Sequence, residues 1–344
     1  MSVHPKPKFS ALTKKAFDPY DMTPVEFEKL RTTWVKEIEK QVKSKGNTLV
    51  ESDVKLFEHP PLSPQLKREV AIKLSRDATL NEKQAIAFNI IANKIVDGLT
   101  PSNQLLMYIG GPGGTGKSEI VKVLRLFLKT LNLLHELKVA AYTGAAASRI
   151  SGTTLSSLLG ESRNKRKKSV TVAQEARSKL VETLGKVRLL VIDEVSMIST
   201  SCIAKLDARL KQVFPKNQNL PFSGVSIIFL GDFVQYPPVN GRSLFASVDP
   251  NKETSTQHAV GRNLWLEVKV SIILDKIVRQ QTDPDFATLL GNLRTNSPFD
   301  NEQHVLLEKR VCGHVNADHD AILSNFGDAP VLVTRNDVRI GINF

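Results

Sequence analysis

The hydrophobic rhythm of the chain changes near Leu80. Beyond it, short, mainly apolar runs alternate with stretches of helical periodicity: Leu105–Ile109, Lys138–Tyr142, Val187–Ile192, Val225–Leu230 and Val331–Val333. Continuous, mainly apolar runs of this length are what a parallel strand buried on both faces produces. After the first run, Ile120, Leu124, Phe127 and Leu131 recur at the spacing of one helix face, which predicts a helix over Glu119–Leu131. The pattern predicts an α/β fold, a parallel sheet flanked by helices. Residues 1–79 read differently, as a mostly helical N-terminal accessory region. Leu30–Val42 has helical polarity, Lys43–Asn47 is a polar break, and His59–Pro64 is a proline-bearing turn. No internal repeat is found.

The residues directly after each run carry the chemistry. The first run leads into Gly111-Pro112-Gly113-Gly114-Thr115-Gly116-Lys117-Ser118, which fits G-x-x-x-x-G-K-[ST] between a strand and a helix. The glycines let backbone N–H groups close on phosphate oxygens, and the helix N-terminus adds favourable partial charge. Lys117 is placed to reach the β- and γ-phosphates and Ser118 to ligate Mg²⁺. The next three runs lead into Thr143-Gly144, Asp193-Glu194 and Gly231-Asp232. Asp193, an acid after a buried strand, is the second Mg²⁺ candidate, and Glu194 is placed to orient and deprotonate an attacking water. Ligands of open α/β sheets gather at the carboxyl ends of strands, so these distant motifs are expected to share one crevice. The expected cofactors are ATP and Mg²⁺.

Composition adds a partner class. The 344-residue chain has a net charge of +12, which favours a polyanion. Between residues 163 and 180, Arg163, Lys165, Arg166, Lys167, Lys168, Arg177 and Lys179 face only Glu175. Such a run reads as a phosphate-backbone contact, a nuclear-import signal or a solvated loop. No apolar stretch approaches the roughly 20 residues needed to span a bilayer, so no membrane partner is expected. The N-terminal segment is lysine-rich and free of acids before Asp18, but has prolines at 5 and 7 and no arginine before Arg31. A mitochondrial leader is therefore the weaker alternative to a nuclear location. Cys202 and Cys312 are too far apart in sequence for a C-x-x-C metal spacing, and Cys312-Gly313-His314 supplies only two ligands.

Several ordered motifs resemble the Pif-type DNA helicases, the superfamily-one, 5′-to-3′ group that includes helicases of Helitron transposons. Val191–Met197 and Gly231–Val239 are similar to motifs II and III, and Glu194–Phe214 to the signature segment between them. Leu80-Asn-Glu-Lys-Gln84 resembles the Q motif, Thr143–Ala147 motif Ia, and Gly152–Ser157 the next strand-contacting element. Ile277–Gln280, with Asp283, Phe286 and Leu293-Arg294, resembles motif IV. Two positions depart from the family: Ser156 stands for a usual histidine and Tyr236 for a usual leucine, the latter at an expected packing position.

The resemblance implies a RecA-like P-loop NTPase lobe over residues 80–330, with a wedge insertion near 240–268. It implies that Gln84 reads the adenine edge, that Gln235 senses the γ-phosphate and that Arg279 acts as an arginine finger. Thr143, Gly144, Thr153, Thr154 and Ser157 would contact single-stranded DNA or DNA junctions through phosphates. Phe233 either stacks on bases or supports the core. A monomer acting in DNA repair, recombination or telomere maintenance is the implied setting. Val331–Asn336 resembles the entry to the family's second motor lobe, so 331–344 reads as the truncated start of that lobe. Without motifs V and VI the chain alone is expected to unwind DNA poorly or not at all. The competing readings are a non-unwinding transposon remnant that binds ATP and DNA, and another P-loop class such as a remodelling ATPase or nucleotide kinase.

Overall fold

A computed structural model describes residues 63–160, 170–247, 256–280, 282–309, 311, 324 and 332–342. The helix expected over residues 30–42, the basic run 163–168, Cys312 and His314 lie outside these residues. Two helices open the described chain, α1 (Pro64–Asp77) and α2 (Glu82–Val96). Ser63 caps the first through its side chain and Asn81 caps the second in a reciprocal capping box with Gln84. Next come β1 (Leu106–Gly110), α3 (Lys117–Thr130), β2 (Leu137–Ala141), the short α4 (Gly144–Arg149), β3 (Thr153–Thr154) and α5 (Leu155–Leu158). The remainder comprises α6 (Val170–Leu184), β4 (Leu189–Asp193), α7 (Thr200–Val213), β5 (Ser226–Gly231), α8 (Thr256–Leu266), β6 (Val270–Ile273), α9 (Pro284–Thr295), α10 (Asn301–Glu308) and α11 (Asn336–Ile342).

The strands form one six-stranded sheet of order β3-β2-β4-β5-β1-β6, and every pairing is parallel. Side chains alternate between its two faces, and each face has its own core. Met107, Ile109, Leu189, Val191, Ile228 and Leu230 pack on one side with α1, α2 and α3, where Phe88 and Phe127 meet edge to face. Leu106, Leu190, Ile192, Ile227 and Phe229 pack on the other side with residues of α7 and with Leu244 and Leu264. Burial on both faces is why β4 and β5 read as mainly apolar runs. Ala71 and Leu74 of α1 belong to the first of these cores, where α1 packs against α2 and α3.

The four expected runs between Leu105 and Leu230 are strands. Val331–Val333 is not borne out as a further one: Leu332 and Val333 are not in a strand and Leu332 is almost wholly exposed. The sixth place in the sheet is taken by Val270–Ile273 at the edge. The described parts of 240–268 fold onto the sheet's second face. Thr200 N–H and the Ser199–Ser243 bridge tie residues 242–243 to the start of α7, and α8 lies against that helix. Residues 248–255 lie outside the described residues.

Contact between α7 and α8 depends on Gly261, whose added Cβ would overlap the Thr200 carbonyl oxygen. Alanine normally gains up to about 1 kcal/mol over glycine inside a helix. Here backbone blocks the methyl, so overpacking wins. Gly261→Ala is expected to destabilise the fold by about 1–3 kcal/mol, read as a lower urea midpoint at unchanged slope.

Candidate active site

Strand order assembles the site. β4, β5 and β1 are consecutive in the sheet, so their carboxyl ends lie within about 10 Å at the usual interstrand spacing of ~4.8 Å. Loops far apart in sequence therefore share one edge.

The loop after β1 is shaped by glycine. Gly111, Gly114 and Gly116 have φ of 143°, 87° and 79°, the region that L side chains avoid. A Cβ at Gly111 would strike the Leu274 carbonyl, one at Gly114 would stand 2.6 Å from Arg279 Cβ, and one at Gly116 would strike Gln84 Nε2. The loop ends at Lys117, where α3 begins and leaves its first N–H groups unpaired within the helix. Lys117 Nζ donates to the Gly111 and Pro112 carbonyls at 2.6 and 2.9 Å, and Thr115 Oγ1 donates to the Pro112 carbonyl at 2.9 Å. Glycine backbone, helix N-terminus and ammonium together fit a triphosphate.

Charges converge on Lys117. Burial pulls its ammonium below the ordinary lysine range, while Asp232, Asp193 and Glu194 push the other way. Asp193 ends β4 and accepts a 2.9 Å bond from Glu194 N–H. Burial raises its carboxyl above the usual range, against that bond and the charges of Lys117 and Arg149. Glu194 is left-handed, at φ 58°, and turns the chain from the strand into a 3₁₀ turn. Burial and then the Asp193 charge raise its carboxyl as well. Ser118, the second residue of α3, and Asp193, the last of β4, carry the oxygen donors of a kind that a hard cation such as Mg²⁺ takes.

Gln235 and Arg279 come from the loops after β5 and β6. A methyl at Gly113 would stand 3.8 Å from Gln235 Nε2 and 3.9 Å from Arg279 Nη1, so both side chains overhang the phosphate loop. The Arg279 segment is tied down through its backbone: Val278 N–H donates to the Gly114 carbonyl at 2.8 Å and Arg279 N–H to the same oxygen at 3.4 Å.

Gln84 is nearly buried, at 5% exposure. Its Oε1 accepts from Asn81 N–H at 2.9 Å and its Nε2 donates to the Thr115 carbonyl at 2.9 Å. It thus fastens α2 to the phosphate loop, a contact that the donor–acceptor argument from sequence did not anticipate.

The strand-contact candidates lie at the β2–β3 edge of the sheet. Thr143 caps α4 by accepting from Ala146 N–H, and Thr154 caps α5 by accepting from Ser157 N–H. Gly144, Thr153 and Ser157 are exposed, and a Cβ at Gly144 would meet nothing. Sequence reasoning missed the residue that holds this edge. Arg125 of α3 donates through Nη2 to the Ile150 and Ser151 carbonyls at 3.1 and 2.9 Å. An arginine inside an amphipathic helix gave no motif signal.

Two aromatic expectations are decided. Phe233 packs among Tyr108, Phe245 and Trp265 with ring centroids 5.3–5.7 Å apart, so it supports the core. Tyr236 is corrected: it is 75% exposed and packs in no core, because the loop carries it past the end of β5 into solvent. Among the described residues no helix is long and apolar enough to cross a membrane.

Comparison with known proteins accords with this geometry. The ATP-dependent DNA helicase PIF1 of Saccharomyces cerevisiae (strain YJM789) is 34% identical over 190 residues, covering 55% of this chain and 21% of that protein. The protein of the same name from Candida albicans is 30% identical over 244 residues, covering 66% of this chain and 26% of its own. The crystal structure of Pif1 helicase from Candida albicans superposes with a TM-score of 0.54 at 26% identity, over 77% of this chain and 53% of that one. The chain thus spans about a quarter of these curated relatives and about half of the solved chain. The model of the PIF1-like helicase family matches residues 79–294, well over half the chain, and the chain belongs to that family.

Proposed function

We propose that this chain carries the ATP-hydrolysing motor lobe of a DNA helicase. One observation supports the reading above others: Lys117 lies in the joint field of Asp193, Glu194 and Asp232, under the overhang of Gln235 and Arg279, in a PIF1-like chain. In the proposed cycle the phosphate loop and Lys117 hold the β- and γ-phosphates, and Gln84 keeps the loop in place beside the adenine site. Glu194 takes a proton from the attacking water, and Arg279 with Lys117 stabilises charge on the transferring phosphoryl group. Mg²⁺ held by Ser118 and Asp193 would supply further neutralisation of the phosphate oxygens. Gln235 registers the γ-phosphate. Thr143, Gly144, Thr153, Thr154 and Ser157 contact single-stranded DNA, with movement in the 5′-to-3′ sense and a nuclear role in DNA repair, recombination or telomere maintenance.

The test is hydrolysis of ATP by the 344-residue chain with Mg²⁺, with and without single-stranded DNA. Turnover that rises several-fold on adding DNA is the expected result. Absence of turnover despite tight ATP and DNA binding would favour the non-hydrolysing alternative, and phosphate transfer to a small acceptor would favour a kinase.

A further inference from the structure

Asp232 comes directly after β5, is only 3% exposed, and belongs to none of the proposed chemical steps. Its carboxylate is fully engaged by protein. Arg294 of α9 grips it with both ends of the guanidinium, Nη1 to Oδ2 at 2.5 Å and Nη2 to Oδ1 at 2.7 Å. Val234 N–H donates to Oδ1 at 3.1 Å and Gln235 Nε2 to Oδ2 at 3.4 Å. Four donors fill the four acceptor positions of a carboxylate, so Asp232 has none left for a cation. Burial alone would raise its carboxyl. Hydrogen bonds from Arg294 and Val234 outweigh burial and hold it below the usual range.

The arginine side of this grip is as informative. The segment leading to α9 contains Val278 and Arg279, whose backbone N–H groups are bonded to Gly114 of the phosphate loop. One stretch of chain, 278–294, therefore touches the phosphate loop at its start and the Gln235 loop at its end. The pair bridges 62 residues of sequence, from the end of β5 to the last turn of α9.

We propose that Arg294 is a positioning residue for γ-phosphate sensing: by clamping Asp232 it sets the Gln235 side chain over Gly113 and makes the Gln235 loop and the Arg279 segment move as one unit. The inference rests on the ATP-hydrolase reading above. Val234 N–H holds only Oδ1, so the second arm of the fork is what fixes Oδ2, the oxygen to which Gln235 is bonded. A displacement of about 1 Å at a group that contacts the reacting phosphate can cost on the order of 100-fold in rate.

The experiment compares Arg294→Gln, Arg294→Lys, Asp232→Asn and the double variant Asp232→Asn/Arg294→Gln with the wild-type chain. Its readouts are single-turnover ATP hydrolysis, and the ratio of Kd for ADP to Kd for a non-hydrolysable ATP analogue. In Arg294→Gln, hydrolysis is expected to fall about 10- to 100-fold while ADP affinity changes little, and the ADP-to-analogue ratio should approach one. Arg294→Lys, which keeps the charge but not the fork, should recover only part of the rate. The double variant should be no worse than the more damaging single one, because the two groups act as a unit. Arg294→Gln with wild-type rate and ratio would overturn the proposal. So would a loss of rate with an unchanged ratio, the signature of a pair that holds the fold without setting Gln235, and so would full additivity in the double variant, the signature of two groups that act independently. Should Arg294→Gln fail to fold, Arg294→Lys and Asp232→Asn carry the same two readouts. An inactive wild-type chain would instead sink the hydrolase reading, so the two failures remain separate.

Discussion

Glu194→Gln is expected to bind ATP within a few-fold of the wild-type affinity and to hydrolyse it about 10²- to 10⁴-fold more slowly, the range lost with a general base. The amide keeps size and polarity but cannot take a proton. Isothermal titration with a non-hydrolysable analogue and a phosphate-release assay separate the two quantities. The wild-type profile of kcat/KM against pH has a linked feature. Burial and the neighbouring Asp193 charge raise the Glu194 carboxyl, against the pull of Lys117 and Arg149. A base works only when ionised, so activity is retained above that raised value and lost as pH falls through it. The acid limb should therefore lie above the ordinary carboxylate range, and its disappearance in Glu194→Gln would assign it. Unchanged hydrolysis in the variant would remove Glu194 from the mechanism.

Arg279→Ala carries the second large effect. Its backbone, not its side chain, straps the phosphate loop through Gly114, so truncation leaves that strap intact. Nucleotide affinity should change little while kcat falls by about 10³-fold or more, as expected when an arginine finger is removed. Lysine at this position supplies charge without the planar fork and should restore only part of the rate. Rapid-quench measurement of the first turnover checks the claim directly. A proportional loss of affinity and rate would indicate ground-state binding instead.

The parts legible in the sequence share a physical cause. β1, β2, β4 and β5 are interior strands, so burial on both faces wrote them as mainly apolar runs. β3 has two residues and β6 is a half-exposed edge strand, and neither length nor burial gave a comparable signal. Leu332–Val333 shows the converse, an apolar pair that takes no place in the sheet. The phosphate loop, Asp193 and Glu194 were readable because their chemistry demands fixed residues at fixed spacing beside a strand. The contacts that join them were not. Gln84 holding Thr115, Arg125 holding the Ile150–Ser151 turn and Arg294 holding Asp232 are contacts across 31, 25 and 62 residues of sequence. Long polar side chains leave no periodic trace of their partners. Tyr236 departs from its expected packing because a motif position does not reveal whether its loop turns inward or outward.

Among the described strands, the one that presents the phosphate loop is hydrogen-bonded to β5 and β6, whose first residues are 226 and 270. A nascent chain leaving the ribosome must hold Leu106–Gly110 without either neighbour while more than a hundred further residues are made. Pairing so distant is slow, and an unpaired apolar strand is a template for association with other chains. A fragment prepared for biophysics that contains residues 64–226 but stops before Val270 would keep the entire phosphate loop yet leave that strand with an open flank.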